Sequence, residues 1–201
     1  MGDVAAIILA AGLSRRMGTE NKLLLPVDGV PMVQHVVAQY CEALSGPITV
    51  VTGHEASLVE AALSGFDVRC VINDNYASGQ QSSVAFGLKH CPDADVVLIG
   101  LGDQPFLKSQ DISDLLAAHS TGDRRKISVP VLGADRGNPI VIPRNIRPQL
   151  TANPNRPGCM RFTRENPDFV QRLPLKAEGF FRDIDTPAAY ADLRQQEDHR
   201  I

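Results

Sequence analysis

The chain predicts a three-layer α/β domain with a mostly parallel, Rossmann-like sheet, and two observations carry that prediction. The apolar runs Val4–Leu9, Ile48–Thr52, Val68–Ile72 and Val96–Leu101 are short and unbroken, as in strands buried on both faces. Helical patterns separate them, and strand alternating with helix at this spacing closes a parallel sheet through right-handed crossovers. At 201 residues the chain suffices for one domain burying roughly 70% of its unfolded surface. It has no repeat, low-complexity segment or linker, so residues 1–201 read as a single domain.

After the first strand, Asp28-Gly29 is a turn between the extended pieces Leu23–Val27 and Val30. Pro31 suits the first position of a helix whose stripe is Val33, Val36, Val37, Tyr40 and Leu44, and Gly46-Pro47 stops it. A helix over about 55–64 follows the second strand, with Gly65 beyond its end, and another spans about 81–90 after the third. Ser109 is the expected cap of a helix running to about His119. Pro130 inside Ile127–Leu132 predicts a strand at an edge or interrupted by a bulge. Gly137-Asn-Pro139 is a turn before extended Ile140–Ile142, and five prolines within 143–168 allow only short helices. Phe169–Leu175 reads as a last strand, and Thr186-Pro187 as cap and first residue of a terminal helix.

Composition narrows the function classes. Apolar residues are 43% and charged residues 21%, the balance of a soluble globular protein. A net charge of −3 gives no electrostatic case for nucleic acid or an anionic membrane. No run approaches a membrane span, and Asp3 without a basic n-region predicts no secretory signal. Cys41, Cys70, Cys91 and Cys159 form no C-x-x-C pair, so the expected setting is the reduced cytoplasm, without zinc. Arg124-Arg125-Lys126 reads as a solvated loop, and His54, with no second ligand nearby, as an incidental loop histidine.

Four stretches carry candidate chemistry. After Leu9, the residues Ala10, Ala11 and Gly12 remove bulk and let the backbone approach a ligand; Ser14, Arg15, Arg16, the bend at Gly18 and Lys22 follow. Exposed N–H groups with three nearby cations suit a polyphosphate. The spacing fits neither a P-loop nor a G-x-G-x-x-G fingerprint, and the plainer alternative is a strand-to-helix turn with solvated arginines. Gly102-Asp-Gln-Pro105 places Asp103 at the tip of a buried strand, where it can cap a turn or take a hard cation such as magnesium beside the polyphosphate. In Asp183-Ile-Asp-Thr-Pro187, alternation puts Asp183 and Asp185 on one side of an extended segment, with helix capping as the simpler reading for Thr186. Gly79-Gln-Gln-Ser-Ser83 before a helix is either a cap or a pocket for a base.

The first stretch resembles the nucleotidyltransferases of the cofactor-guanylyl/cytidylyl type, including molybdenum cofactor cytidylyltransferases, whose signature is close to L-A-[AG]-G-x-S-x-R-M-G-x-x-K. Leu9, Ala10, Ala11, Gly12, Ser14, Arg16, Met17, Gly18 and Lys22 match it. The resemblance covers residues 4–142 and returns at 183–193. It implies a loop around the triphosphate with Arg16 and Lys22 as its cations and Arg15 less secure. It also implies magnesium on Asp103, completed by Asp185 from the D-x-D-T-P motif, with Asp183 the weaker candidate. G-D-Q-P is typical of the cytidylyl branch. Ser83-Val-Ala-Phe-Gly-Leu88 matches a base-side helix start, with Gly79 and Gln80 beside it, although Gly79-Gln-Gln-Ser-Ser83 departs mildly from the branch's G-x-S-S-S. The family's G-x-x-x-A-R-x-L-L helix survives only as Gly158 and Arg161.

What the resemblance implies is a nucleotide-binding part over about 1–105 and an acceptor-binding part over about 106–201. The implied reaction moves CMP from CTP to the terminal phosphate of molybdenum-molybdopterin and releases pyrophosphate, with a molybdenum hydroxylase as recipient of the product. GTP, another phosphorylated acceptor, or a non-catalytic cofactor carrier remain alternatives. Arg16 and Lys22 follow small residues in a loop, so the sequence expects neither to contribute much to stability.

Overall fold

The structure is a computed structural model and describes residues 2–152 and 159–198. The chain begins with β1 (Val4–Ala10), the hairpin β2 (Pro26–Val27) and β3 (Val30–Pro31), and α1 (Met32–Ala43). It continues through β4 (Ile48–Thr52), α2 (Ala56–Ala62), β5 (Arg69–Ile72), α3 (Gln80–His90), β6 (Val96–Leu101) and α4 (Ser109–Thr121). It ends with β7 (Ile127–Leu132), β8 (Asp135–Arg136), β9 (Ile140–Pro143), α5 (Arg147–Thr151), α6 (Cys159–Glu165), β10 (Val170–Leu173) and α7 (Pro187–Asp198).

The main sheet has the order β10-β7-β9-β6-β1-β4-β5, with β8 paired to β7. The neighbours β6, β1, β4 and β5 are parallel, and β9 runs against both β6 and β7. Alternation along β1 divides the core: Ala6, Ile8 and Ala10 pack with Val36 and Tyr40 of α1, Val59 of α2 and Leu115 of α4. Ala5, Ile7 and Leu9 pack on the other face with Val84 of α3, Leu150 of α5 and Cys159 of α6. Two helical layers enclosing a mostly parallel sheet are the predicted architecture.

Some boundaries depart from the expectation. Pro31 pairs with Pro26 in the hairpin, and at φ −52° and ψ 138° it precedes α1 instead of opening it. Leu44 is extended and lies beyond the helix. Lys108, not Ser109, precedes α4 as its capping residue, its N–H bonding Asp111 Oδ2 at 3.0 Å. Ser109 is already helical and donates its own N–H to Gln39 Oε1. Strand β7 is not an edge, because β10 covers its other side. Pro130 instead sits between its pairing with β9 at Ser128 and its pairing with β8 at Val131, where the strand changes partner. The extended part of 169–175 shrinks to β10.

Within this frame α4 is locked to β7 and β10 through one polar cluster. His119 is 1% exposed, its Nδ1 lies 2.7 Å from Ser128 Oγ, and Gln171 Nε2 donates to the same Oγ at 2.8 Å. Burial, helped by Arg124, holds the His119 pKa below its ordinary value, and Nε2 has no partner for a second proton. The folded state therefore resists protonation that the unfolded chain accepts near pH 6.5. Stability from this residue is complete above that pH and falls as pH drops through it toward the folded-state pKa. The slope is at most about 1.4 kcal/mol per pH unit. Urea melts of wild type and His119→Gln should differ by a constant amount from pH 8 to about 6.5 and draw together from there to pH 5; curves parallel over the whole range would remove His119 from the acid response.

Candidate functional site

The loop after β1 is shaped by its own polar residues. Ser14 turns the backbone at φ 49°, a 3₁₀ turn follows over Arg15–Met17, and Gly18 bends it back at φ 75°, where a side chain would be strained. Met17 anchors the turn, being 8% exposed. The amide of Lys22 then donates to Ser14 Oγ at 3.2 Å, and Asn21 Oδ1 caps a second 3₁₀ turn, Lys22–Leu24, by accepting from Leu23 N at 3.1 Å. The two ends of the loop are thus tied together, which turns the Lys22 side chain inward. Lys22 is only 8% exposed, so the expectation of a loop cation of little structural consequence is overturned.

Two carboxylates meet that ammonium, and a third lies beside them. Leu9 of β1 stands opposite Leu101 of β6, and Gly102 N bonds Leu9 O at 2.9 Å, so Asp103 emerges beside the loop. Asp103 O in turn accepts from Ile184 N at 2.9 Å, which brings the segment before α7 across the sheet's carboxyl edge. Carboxylate oxygens of Asp103, Asp183 and Asp185 all lie within 4.8 Å of one another. Lys22 Nζ donates to Asp103 Oδ2 and, at 2.5 Å, to Asp185 Oδ1; Arg16 Nη2 donates to Asp185 Oδ2 at 2.5 Å.

Burial alone would lower the Lys22 pKa, but Asp103 and Asp185 together outweigh it and raise the value. Asp103 is pushed above the usual carboxylate range by burial and by Asp183 and Asp185, against the pull of Lys22. Asp185 also feels burial, yet Lys22 and Arg16 hold it below its ordinary value. Asp103 Oδ1 is buried without a partner. A converging set of hard oxygen donors, one still unpartnered, fits a divalent cation.

A cavity of about 1540 Å³ opens from this cluster. Its wall includes Leu9, Ala11, Gly12, Ser14, Arg15, Arg16, Lys22, Gly79, Gln80, Ser83, Asp103, Asp183 and Asp185, so most of the residues picked from sequence lie around one space. Ala10 does not join them; its side chain is in the core with Tyr40 and Leu98. Gly18 also lies off the wall and shapes the loop from behind. Ser83 is buried, and its Oγ accepts from Asn73 Nδ2 at 3.0 Å, as does Ser82 Oγ. His54 stands outside the cavity wall, 3.9 Å from Glu55.

Sequence reasoning missed Asn73, which braces the start of α3, and Arg136 and Arg164, which line the cavity beside Arg161, the arginine kept from the family's helix. Arg136 Nη2 donates to Thr163 Oγ1 at 2.7 Å. Asn73, Arg136 and Arg164 come from segments with no shared motif, and nothing local marks them. Gly158, noted with Arg161, lies outside the described residues.

Residues 6–170 match the MobA-like NTP transferase domain. The chain belongs to that family. Among curated relatives it is 29% identical over 196 residues to nicotine blue oxidoreductase of Paenarthrobacter nicotinovorans, covering 92% of this chain and 96% of that one. It is 36% identical over 134 residues to the bifunctional protein GlmU of Xanthomonas campestris pv. campestris (strain 8004), covering 66% of this chain but only 28% of the relative's length. The fold matches a nucleotidyl transferase from Methanothermobacter thermautotroptrophicus with TM-score 0.83 at 24% identity, covering 99% of both chains. It also matches CMP:2-keto-3-deoxy-manno-octonic acid synthetase complexed with CTP, with TM-score 0.75 at 17% identity, over 99% of this chain and 100% of that one. In this chain the MobA-like domain brings Lys22, Asp103, Asp183 and Asp185 together at the carboxyl edge of its sheet.

Removing Lys22 from this MobA-like domain leaves the half-buried carboxylates of Asp103 and Asp185 without the ammonium that joins them. Lys22→Ala should cost about 3 kcal/mol in denaturant melts, the scale for breaking a buried ion pair from one side. Adding Asp103→Asn to that variant should recover part of the loss. A single variant within about 0.5 kcal/mol of wild type would return Lys22 to the role of a dispensable surface cation.

Proposed function

We propose that this MobA-like domain transfers CMP from CTP to the terminal phosphate of molybdenum-molybdopterin, releasing pyrophosphate. The observation that supports it most is the meeting of Lys22, Arg16 and three carboxylates at one end of a cavity that continues to α6. In this reading the part around residues 1–105 takes the nucleotide and the part around 106–201 the acceptor. Gly12, Ser14 and Arg15 line the path of the triphosphate, while Gly79, Gln80 and Ser83 stand at the base end. Arg16, with 68% of its side chain exposed, turns from Asp185 toward the departing pyrophosphate, and Lys22 counters the charge from below. Asp103 and Asp185, with Asp183 beside them, are the residues to hold magnesium, which when bound neutralises phosphate charge. An ionised acceptor phosphate brings its own nucleophilic oxygen, so the protein supplies position and charge rather than a base.

CTP is preferred over GTP in this reading for a steric reason. Ala11 carries a methyl on the cavity wall where the guanylyl branch has glycine, which narrows the space for a purine. The CTP-complexed synthetase of the same fold is consistent with that choice at the level of fold. The setting proposed is the cytoplasm, with a molybdenum hydroxylase receiving the product. One observation favours a second reading, a redox protein on this scaffold: the relative matched over 92% of the chain is named an oxidoreductase. The carboxylate cluster weighs against it, since hydride transfer does not call for three converging acidic groups.

Pyrophosphate release measured with CTP, GTP, magnesium and molybdenum-molybdopterin should show turnover with CTP in preference to GTP. Asp103→Asn should keep the fold and lower that rate by roughly 10². Equal or greater GTP use would defeat the nucleotide assignment. Oxidation of reduced nicotinamide without pyrophosphate release would favour the redox reading.

A further inference from the structure

The two aspartates that join Asp103 arrive on a strap, residues 178–185, that has no strand pairing to hold it in register. It passes against the G-D-Q-P turn at two points. At one, Ile184 N donates to Asp103 O at 2.9 Å. At the other, the side chain of Gln104, 2% exposed, donates from Nε2 to Phe180 O at 3.1 Å and approaches Gly179 O at 3.4 Å. Phe180 O also accepts from Asn138 N at 2.8 Å, so the strap is pinned between the β6 turn and the loop before β9. The approach is close enough to exclude a side chain at Gly179, whose Cβ would lie 2.5 Å from Leu107 Cα. Between the two pins, the Arg182 guanidinium stacks 3.7 Å over Phe106.

We infer that Gln104 is a positioning residue that sets the distance of Asp183 and Asp185 from Asp103, and so the affinity of the cluster for a divalent cation. Its neighbour in sequence is a member of the cluster, and its amide grips the strap five to six residues before Asp185. A donor is required there because both partners are carbonyl oxygens. Phe180 and Ile184, each 1% exposed, keep the strap docked when the amide is lost, so the expected result is a looser cluster and not an unfolded chain. Small displacements of the carboxylates suffice, because ligand number and spacing govern divalent-cation binding.

The inference rests on the reading of the three carboxylates as a cation site, and the test separates the two. Mn2+ is titrated into wild type, Gln104→Met and Gln104→Glu, with free Mn2+ read by electron paramagnetic resonance. Met keeps the length without a donor; Glu keeps the shape but presents a second acceptor to the carbonyls. Both should bind Mn2+ about tenfold more weakly while binding CTP in EDTA within about twofold of wild type. In an Asp185→Asn background, Gln104→Met should add less than about threefold, because the two act through one carboxylate. Folded variants with wild-type Mn2+ affinity, or effects that multiply fully with Asp185→Asn, overturn the positioning role. A wild type that binds no Mn2+ overturns the cation site itself, and the inference with it.

Discussion

The contact on which the site depends is the one between the Lys22 ammonium and the carboxylates of Asp103 and Asp185. It joins three pieces of chain that are far apart in sequence: the loop after β1, the turn after β6 and the strap before α7. The Lys22 and Asp103 side chains are 9% and 16% exposed, so water does little to screen them. A pair of this kind adds little net stability over an apolar packing, yet it is costly to break from one side. The cluster is also unbalanced. Three carboxylates face two cations, Lys22 and Arg16, and the excess negative charge adds to burial in keeping Asp103 above its usual range. The imbalance suits a site that gains a divalent cation and a polyphosphate together, each supplying the charge the other needs.

Sheet topology explains why these three pieces can meet. From β1 the chain moves outward to β4 and β5, then returns to place β6 on the other side of β1. The direction of winding reverses between β1 and β6, and a crevice opens there at the carboxyl ends of the strands. Leu9 and Leu101 are in register, so the loop and Asp103 leave the sheet at the same height. Only the strap comes from elsewhere, and it needs its own fastenings to stay opposite them.

Most of this fold was legible because its signals are local. The buried strands announce themselves as unbroken apolar runs, and the glycine-rich loop after β1, G-D-Q-P and D-x-D-T-P are contiguous motifs. What the sequence hid depends on partners distant along the chain. Lys22 reads as a loop cation until Asp103 and Asp185, 81 and 163 positions away, are folded onto it. Pro130 reads as an edge residue because nothing near it reveals that β10 will cover β7. Ser109 reads as a cap, but the reach of Asp111 back to Lys108 starts the helix one residue earlier. Ser83 reads as a base contact, while its Oγ is already engaged by Asn73, a residue outside the motif.

The difference in burial between the two cations divides their work. Lys22 cannot leave its carboxylates without exposing them to one another, so it remains a fixed charge beneath whatever enters the cavity. Arg16 is joined to Asp185 across an exposed rim, with 68% of its side chain in solvent, and such pairs are held by little net energy. An incoming polyphosphate offers Arg16 several oxygens in place of one, and the guanidinium's fork is suited to take them. Its departure frees Asp185 Oδ2 at the moment the cluster has most use for another oxygen donor. In the proposed reaction, nucleotide binding and completion of the cation site are then one event, passed through a single exposed arginine.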